Sequence, residues 1–542
     1  MNTLAKAVSA CAVLLAGCLT GQALAADRVK IANGVLESTL PVTNGVRTFR
    51  GIPFGQPPVG DLRWREPQPV KNWTGVRNAD KFGPTCMQRL SPGNDYWFRG
   101  DGMSEDCLYL NVWTPAKTGK EKLPVFVYIF GGGFSNGDGS EPRYDGANMA
   151  AKGIVAVSIN YRTNIFGFFA HPELTKESGR NASGNYGLLD QYTALKWVQE
   201  NIAAFGGDPK RVTVGGESAG SMSVSLLVVS PLTKNLITGA ICESGSYVSN
   251  ATLAPFASSE SNGAKFGEAV GAPTIAALRA LSATQLQEAS QKSGVRMGGL
   301  GVNVDGYFMT KQQSDVLEAG EQAKIPLMAG SNSEESGVRS VLGQAEPTPE
   351  NFAAAIKRLY PNDADKLLKV YNPKTPDEVL DAALALASAR FIALGTWKFT
   401  EMHAKTSGKP AYRYFYTRVR PKFLGTPGQP PPAASTPARG AVHSAEIPYA
   451  MGNLDLDTRY PWYQNDHKVS QTMQGYFVNF IKTGNPNGKG LPAWPAYEAK
   501  TSYQRMVIDV VSKAQPDTDR PAYLVLDTIP PTPNVPGGRG GR

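Results

Sequence analysis

The chain alternates short runs of apolar residues with longer segments in which apolar residues recur at helical spacing. Residues 125–130, 154–159 and 212–214 are rich in β-branched and aromatic side chains, so each run predicts a buried strand. Residues 188–205 have helical periodicity, and the Gly-Gly-Asp-Pro segment at 206–209 predicts the end of that helix. Strands that alternate with helices are typical of an α/β fold with a mainly parallel central sheet flanked by helices.

Composition places the chain among globular proteins. Of its 542 residues 41% are hydrophobic and 19% charged, which is enough apolar material for a large core. The net charge of +9 is spread over 55 basic and 46 acidic residues without a dense basic cluster, so we expect no nucleic-acid partner. We predict one domain over residues 27–528 with long loop excursions, among them the Pro-rich stretch 421–439, and a disordered tail over 529–542.

The N-terminal residues have the pattern of an export signal. Lys6 supplies a basic start, residues 7–15 are apolar, and small residues at 23–25 predict cleavage after Ala25, so residues 1–25 are a signal peptide. Residues 15–18 also match the site at which bacterial lipoproteins are cut and acylated on Cys18, although the apolar run before it is short. We therefore expect a periplasmic or secreted protein, with a lipid anchor at Cys18 as the alternative. No later segment has the ~20 uninterrupted apolar residues of a membrane span.

Three of the five cysteines lie beyond the leader. Cys86 and Cys107 are 21 residues apart, and in an oxidising compartment such a pair can close a surface loop. Cys242 follows two apolar residues of a predicted strand. We interpret it as a buried and unreactive thiol.

The segment 216–220 reads Gly-Glu-Ser-Ala-Gly and matches the pattern G-x-S-x-G. A predicted strand precedes it and a small-residue helix follows, which is the setting of a nucleophilic serine on a sharp turn. Ser218 is therefore the candidate nucleophile. A second copy of the pattern at 133–137 is followed by a loop, so Ser135 is interpreted as structural.

Three glycines at 131–133 follow the strongest predicted strand. Alone they would indicate no more than a tight turn. An acyl-transfer enzyme, however, needs backbone N–H groups aimed at the oxyanion of its tetrahedral intermediate. The natural donors are Gly132, Gly133 and the residue after the nucleophile, Ala219.

A serine nucleophile needs a base, and the base needs a carboxylate to orient it. The chain has four histidines, of which His443 lies at the end of the Pro-rich stretch and well after Ser218. The chain order Ser, acid, His then requires a carboxylate between the two.

The chain resembles the type-B carboxylesterase family, the cholinesterase-like branch of the α/β-hydrolase fold, over essentially its whole mature length. The resemblance rests on FRGIPF (49–54), SEDCLYLN (104–111), GGGF (131–134), NYR (160–162), GNYGLLDQ (184–191), GESAG (216–220), AVHSAEIPY (441–449) and GNPN (484–487). It implies that Ser218 is the nucleophile, His443 the base and Glu335, within 330–335, the acid. Its neighbour Glu334 stands where members usually have Asp.

The resemblance also implies a disulfide between Cys86 and Cys107 beside the active-site entrance. It further implies two ion pairs, Arg63 with Glu105 and Arg162 with Asp190. The chain departs from the family pattern at two positions: Phe130 precedes the glycines where many members have His, and Ser336 follows the acid where Gly is usual.

The implied function is that of a serine carboxylic ester hydrolase that forms an acyl-enzyme with a small or medium ester. The alternatives are a non-catalytic cholinesterase-like binding protein, or a lipase or peptidase on the same fold. No H-E-x-x-H spacing or nucleotide-binding glycine motif occurs, so we expect no metal and no cofactor. The aromatic residues 96–98 and Phe134 either line the substrate pocket or pack in the core, and the sequence sets no oligomeric state.

Overall fold

The computed structural model describes residues 27–89, 97–248, 252–294, 301–425 and 437–530. The predicted leader, Tyr96, most of the Pro-rich stretch and nearly all of the predicted tail lie outside these residues. Their assignments, and the domain bounds 27–528, stay predictions.

The strands of the described residues are β1 Asp27–Ile31, β2 Gly34–Ser38, β3 Arg47–Pro53, β4 Val76–Asn78, β5 Thr85–Cys86, β6 Met103–Ser104, β7 Tyr109–Thr114, β8 Leu123–Ile129, β9 Val155–Ile159, β10 Gly207–Glu217, β11 Gly239–Glu243, β12 Ala254–Pro255, β13 Asn303–Val304, β14 Leu327–Asn332, β15 Ala411–Tyr416, β16 Gln504–Ile508 and β17 Lys513–Pro516.

The α-helices of the same residues are α1 Ala147–Ala150, α2 Asn164–Gly167, α3 Pro172–Glu177, α4 Tyr186–Asn201, α5 Ala219–Val229, α6 Phe256–Ala269, α7 Ile275–Ala280, α8 Ala283–Lys292, α9 Gln313–Glu318, α10 Arg339–Leu342, α11 Pro349–Leu359, α12 Ala364–Val370, α13 Pro376–Ser388, α14 Leu394–Thr406, α15 Ile447–Met451, α16 Gln464–Thr483 and α17 Arg520–Asp527.

Among the described residues, ten strands form one sheet in the order β17-β16-β15-β14-β11-β10-β8-β9-β7-β3. Neighbours from β16 through β9 run parallel, whereas the pairs at the two edges run antiparallel. Strands β9, β11 and β14 are buried at every residue, which is typical of parallel sheets packed between helices. The predicted α/β class with a mainly parallel sheet is confirmed.

Three predicted strands correspond to β8, β9 and β10, and the predicted helix corresponds to α4 with a 3-10 turn over Ile202–Phe205. The predicted break after it is shorter than expected. Gly206 alone forms the break, with a φ of 79°, and β10 already begins at Gly207. A single left-handed glycine is enough to end a helix, so Asp208 and Pro209 belong to the strand.

A second cluster of buried apolar side chains lies among α10 to α14 and α17, apart from the cluster around the sheet. Its longest element is the helical run Pro376–Thr406, which joins α13 to α14 through the π-helix Ala389–Ala393. By length and composition this run could cross a membrane. However, 67% of its most apolar window is buried inside the protein, as in the core helix of a globular fold.

The predicted disulfide between Cys86 and Cys107 is confirmed: it closes a loop with a sequence separation of 21 residues. Cys107 lies just before β7, so the disulfide connects the loop to the central sheet. Cys242 in β11 is fully buried, and burial raises the pKa of its thiol to about 12, so the thiol stays protonated and unreactive.

Both ion pairs implied by the resemblance are present in the structure. Arg63 Nε lies 2.6 Å from Glu105, and Arg162 contacts Asp190 at 2.7 Å. Asp190 also accepts a hydrogen bond from the backbone N–H of Arg162, so α4 is fixed to the segment after β9. Arg63 donates to the carbonyl of Leu281, which connects the segment near the disulfide loop to α7.

Opening the disulfide should destabilise the protein, because the bond restricts the unfolded chain. For a loop of this length the chain-entropy model gives about 3 kcal/mol. We expect the double variant Cys86→Ser/Cys107→Ser to unfold at a lower urea concentration than the parent. Reduction of the parent should lower its midpoint equally, and reduction of the variant should change nothing. Equal midpoints for oxidised parent and variant would contradict a stabilising role.

Candidate active site

Ser218 lies at a sharp turn between β10 and α5. Its φ of 56° and ψ of −121° are strained for a non-glycine residue, as in the nucleophile turn of this fold class. The flanking glycines permit the turn, because a Cβ at Gly216 or Gly220 would lie 2.5 Å or 2.1 Å from the carbonyl oxygen of Ile129. The turn is thus pressed against the end of β8, and Ser218 itself remains partly exposed.

A hydrogen-bond chain joins Ser218, His443 and Glu335. Ser218 Oγ lies 3.0 Å from His443 Nε2, and His443 Nδ1 lies 2.6 Å from Glu335 Oε2. The three side chains come from positions up to 225 residues apart, and they meet because β10 and β14 both end at the same edge of the parallel sheet. The structure therefore brings together the three residues that the sequence predicts as nucleophile, base and acid.

Glu335 is held by three further hydrogen bonds. Its Oε1 accepts from Ser244 Oγ at 2.5 Å and from the backbone N–H of Asn332 at 2.6 Å. Its own N–H donates to Ser388 Oγ at 3.0 Å. These bonds leave Oε2 facing the imidazole of His443.

Glu334 points elsewhere and connects two loops. Its Oε2 accepts a hydrogen bond from the N–H of Gly440, and its N–H donates to the carbonyl of Ala441, both at 2.8 Å. Asn332 adds a bond from Nδ2 to the carbonyl of Val442. The segment before the acid is therefore fastened to the segment before His443.

The glycines after β8 lie beside Ser218. A Cβ at Gly131 would come within 3.0 Å of Ser218 Cβ, and Gly132 and Gly133 adopt φ values of 112° and 62° that favour glycine. Within the described part of the chain, the N–H groups of Gly132, Gly133 and Ala219 donate no hydrogen bond to another protein group. These three N–H groups are available to a substrate oxygen.

The two departures from the family pattern have structural explanations. Phe130 is buried and stacks on Tyr161 with ring centroids 4.3 Å apart, while Tyr161 donates a hydrogen bond to the carbonyl of Phe130. Ser336 is half-buried and its hydroxyl donates a hydrogen bond to Ser340, while Glu335 beside it keeps its contact with His443.

Other candidate residues divide between core and surface. Phe134 is buried and packs edge-on against Phe168, whereas Trp97 is 41% exposed beneath Arg459. Ser135 is exposed, and its hydroxyl donates a hydrogen bond to the nearby carbonyl of Gly133, which agrees with a structural role.

Sequence reasoning missed a group of buried carboxylates around His443. Glu217 Oε1 lies 3.2 Å from His443 Nε2 and accepts a hydrogen bond from Ser444 Oγ at 2.6 Å. Glu243 and Glu446 lie deeper and are fully buried. Burial raises the pKa of all three carboxyl groups, that of Glu446 to about 8, with mutual repulsion adding to the rise.

Glu217, Glu335 and Glu446 act on the imidazole. Burial alone would lower the pKa of His443, but attraction to Glu217 and the hydrogen bond and charge of Glu335 outweigh it and raise the pKa to about 9. An imidazolium at this position is therefore strongly stabilised. Across the described residues, no group of three or more His, Cys, Asp or Glu side chains is arranged to hold a metal ion.

The remaining missed residues are Ser244, Asn332 and Ser388, which bind Glu335, and Phe391, whose ring lies against His443. Glu217 has a sequence signal, since it stands inside the G-x-S-x-G pattern. The other missed residues come from separate segments of the chain, and no local sequence pattern predicts their contacts with the acid or the base.

Comparison with known proteins agrees with this geometry. The profile of the Carboxylesterase family matches residues 26–522. The chain is 37% identical over 485 residues to the fumonisin B1 esterase of Sphingopyxis macrogoltabida, covering 85% of this chain and 83% of that protein. It is 33% identical over 490 residues to the cocaine esterase of Homo sapiens, covering 85% and 84%.

A solved structure of PNB esterase superposes with a TM-score of 0.75 at 30% identity, covering 92% of this chain and 99% of that one. Fold, site and sequence thus lead to one conclusion. The chain belongs to the carboxylesterase family and is a carboxylic ester hydrolase of the serine type.

Proposed function

We propose that Ser218 attacks the ester carbonyl while His443 accepts the serine proton. The observation that carries this proposal is the unbroken hydrogen-bond chain from Ser218 Oγ through His443 to Glu335. The 3.0 Å separation of Oγ and Nε2 is within direct reach for proton transfer. Glu335 holds Nδ1 protonated, so Nε2 is free to accept.

The tetrahedral intermediate carries a negative charge on the former carbonyl oxygen. The backbone N–H groups of Gly132, Gly133 and Ala219 are proposed to stabilise it, since none of them is used inside the described fold. Loss of one such donor typically lowers the rate by about 10²–10³-fold.

Collapse of the intermediate needs a proton for the leaving alcohol. The imidazolium of His443 supplies it from Nε2, and the acyl group stays on Ser218. Water, deprotonated by the same imidazole, then attacks the acyl-enzyme and releases the acid.

The substrate is proposed to be a small or medium carboxylic ester. Ser218 is only partly exposed and the side chain of His443 is 24% exposed, so the reacting atoms are reachable but recessed. Short-chain p-nitrophenyl esters, long-chain triglycerides and peptides, assayed in parallel, separate an esterase from a lipase or a peptidase.

Export is proposed from the N-terminal pattern of Lys6, the apolar residues 7–15 and the small residues 23–25. The disulfide between Cys86 and Cys107 supports an oxidising compartment. The N-terminal residue of the exported protein decides between cleavage after Ala25 and acylation of Cys18.

Replacement of the nucleophile should abolish turnover and leave the fold intact. We expect Ser218→Ala to lower kcat by about 10⁴–10⁶-fold, the usual effect of losing a member of such a triad. An organophosphonate should label the parent at Ser218 and leave this variant unlabelled. Ser135→Ala, in the second copy of the motif, is the matched control and should retain full activity. Label on Ser135 would move the nucleophile there.

The two adjacent glutamates should differ in their effects. Glu335→Gln should lower kcat by about 10⁴-fold, because an amide cannot stabilise the imidazolium or hold the required tautomer. Glu334→Gln should cost little, since its amide oxygen can still accept from the N–H of Gly440. Purified variants compared by kinetics test this, and the reverse order of activities would assign the acid to Glu334.

Glu217 should set the pH at which activity rises. The free base form of His443 is needed for attack, so kcat/KM rises with pH through its pKa, which the carboxylates hold at about 9. Glu217→Gln removes one negative charge beside Nε2, so the rising limb should move to lower pH. The limb of Glu334→Gln should stay where it is in the parent. An unmoved limb in Glu217→Gln would mean that this carboxyl is uncharged as His443 titrates.

A further inference from the structure

The π-helix Ala389–Ala393 interrupts the long helical run beside the active site. Such a turn contains one residue more than an α-helical turn and is frequent at functional sites. Phe391 lies at its centre with 49% of its surface exposed, whereas the next two residues, Ile392 and Ala393, are buried. The π-turn therefore presents one large apolar ring to the outside.

That ring lies against the proposed base. The ring centroids of Phe391 and His443 are 5.1 Å apart, with an interplanar angle of 76°. Ser388, at the preceding turn, accepts the hydrogen bond from the N–H of Glu335. One helical segment thus contacts both the acid and the base, and its exposed ring lies against an imidazole whose side chain is 24% exposed.

The proposed reaction gives the two halves of an ester different neighbours. The acyl oxygen faces the N–H groups of Gly132, Gly133 and Ala219. The alcohol leaves with the proton of His443 Nε2, so it must lie on the histidine side of Ser218. An exposed ring in contact with His443 is therefore placed to meet the alcohol half.

We infer that Phe391 is a specificity-determining residue that binds the alcohol part of the ester and favours apolar or aromatic alcohols. The inference rests on the proposed function, because the roles of Ser218 and His443 define the two sides. Contact with an apolar alcohol would remove from water much of the surface that Phe391 now exposes, and such burial is favourable.

The experiment uses acetates that differ only in the alcohol. Methyl and benzyl acetate form the same acetyl-enzyme, so their kcat/KM values differ only in the steps up to loss of the alcohol. We expect Phe391→Ala to lower the benzyl-to-methyl ratio of kcat/KM by about tenfold. Loss of an apolar contact with one part of a substrate typically changes discrimination by at least this factor. Phe391→Tyr, which keeps the ring, should have the same benzyl-to-methyl ratio as the parent.

Two comparisons isolate the effect. Leu524→Ala in α17 truncates another exposed apolar side chain, 43% accessible, and should leave the ratio unchanged. The methyl phenylacetate to methyl acetate ratio, which changes only the acyl half, should be the same in Phe391→Ala as in the parent.

Several results would overturn the inference. One is a benzyl-to-methyl ratio within twofold of the parent. Another is an equal loss on every ester, which would mean that Phe391 acts only through His443. A third is a loss that follows the acyl group. Labelling of Ser218 by an organophosphonate is measured in parallel, because a parent enzyme that fails to label would refute the proposed function and not the role of Phe391.

Discussion

The close contact between the turn at Ser218 and the end of β8 fixes the geometry of the whole site. Gly216 pairs with Ile129 across the sheet, and both Gly216 and Gly220 approach the Ile129 carbonyl so closely that no side chain fits between. The glycine run leaves β8 at this point. The serine and the free N–H groups are therefore both anchored at the paired ends of β8 and β10. Their relative position is set by strand register and not by a flexible loop.

Near the paired ends of β8 and β10, the described residues include four buried carboxylates: Glu217, Glu243, Glu335 and Glu446. Charges of like sign are costly in an interior of low dielectric, and the raised pKa values of three of these groups express that cost. The charges of Glu217, Glu335 and Glu446 favour a positive charge on His443. The carboxylates that repel one another therefore also stabilise the positively charged imidazolium that acyl transfer requires.

The parts of the molecule that depend on local patterns could be predicted from the sequence. The buried strands and the turn at Ser218 belong to this group. The family resemblance supplied the disulfide between Cys86 and Cys107 and the choice of Glu335 over Glu334. Long-range contacts could not be predicted, because Ser244 and Ser388 reach Glu335 from 91 and 53 residues away. The charge around His443 depends on burial that only the packed fold defines. The π-turn could not be predicted either, because one extra residue within a helix produces no recognisable pattern of apolar positions.

That π-turn has a consequence for how enzymes of this kind diverge. A π-turn is an α-helix that carries one extra residue, and each residue of an α-helix turns the chain by about 100°. A chain with one residue fewer between Ser388 and Leu394 would form a regular helix and bring a different side chain opposite His443, although no residue there had been substituted. Insertion and deletion within a buried helix are therefore an evolutionary route to a new surface beside the histidine, and a gap at this place in an alignment would carry more meaning than gaps in the outer loops.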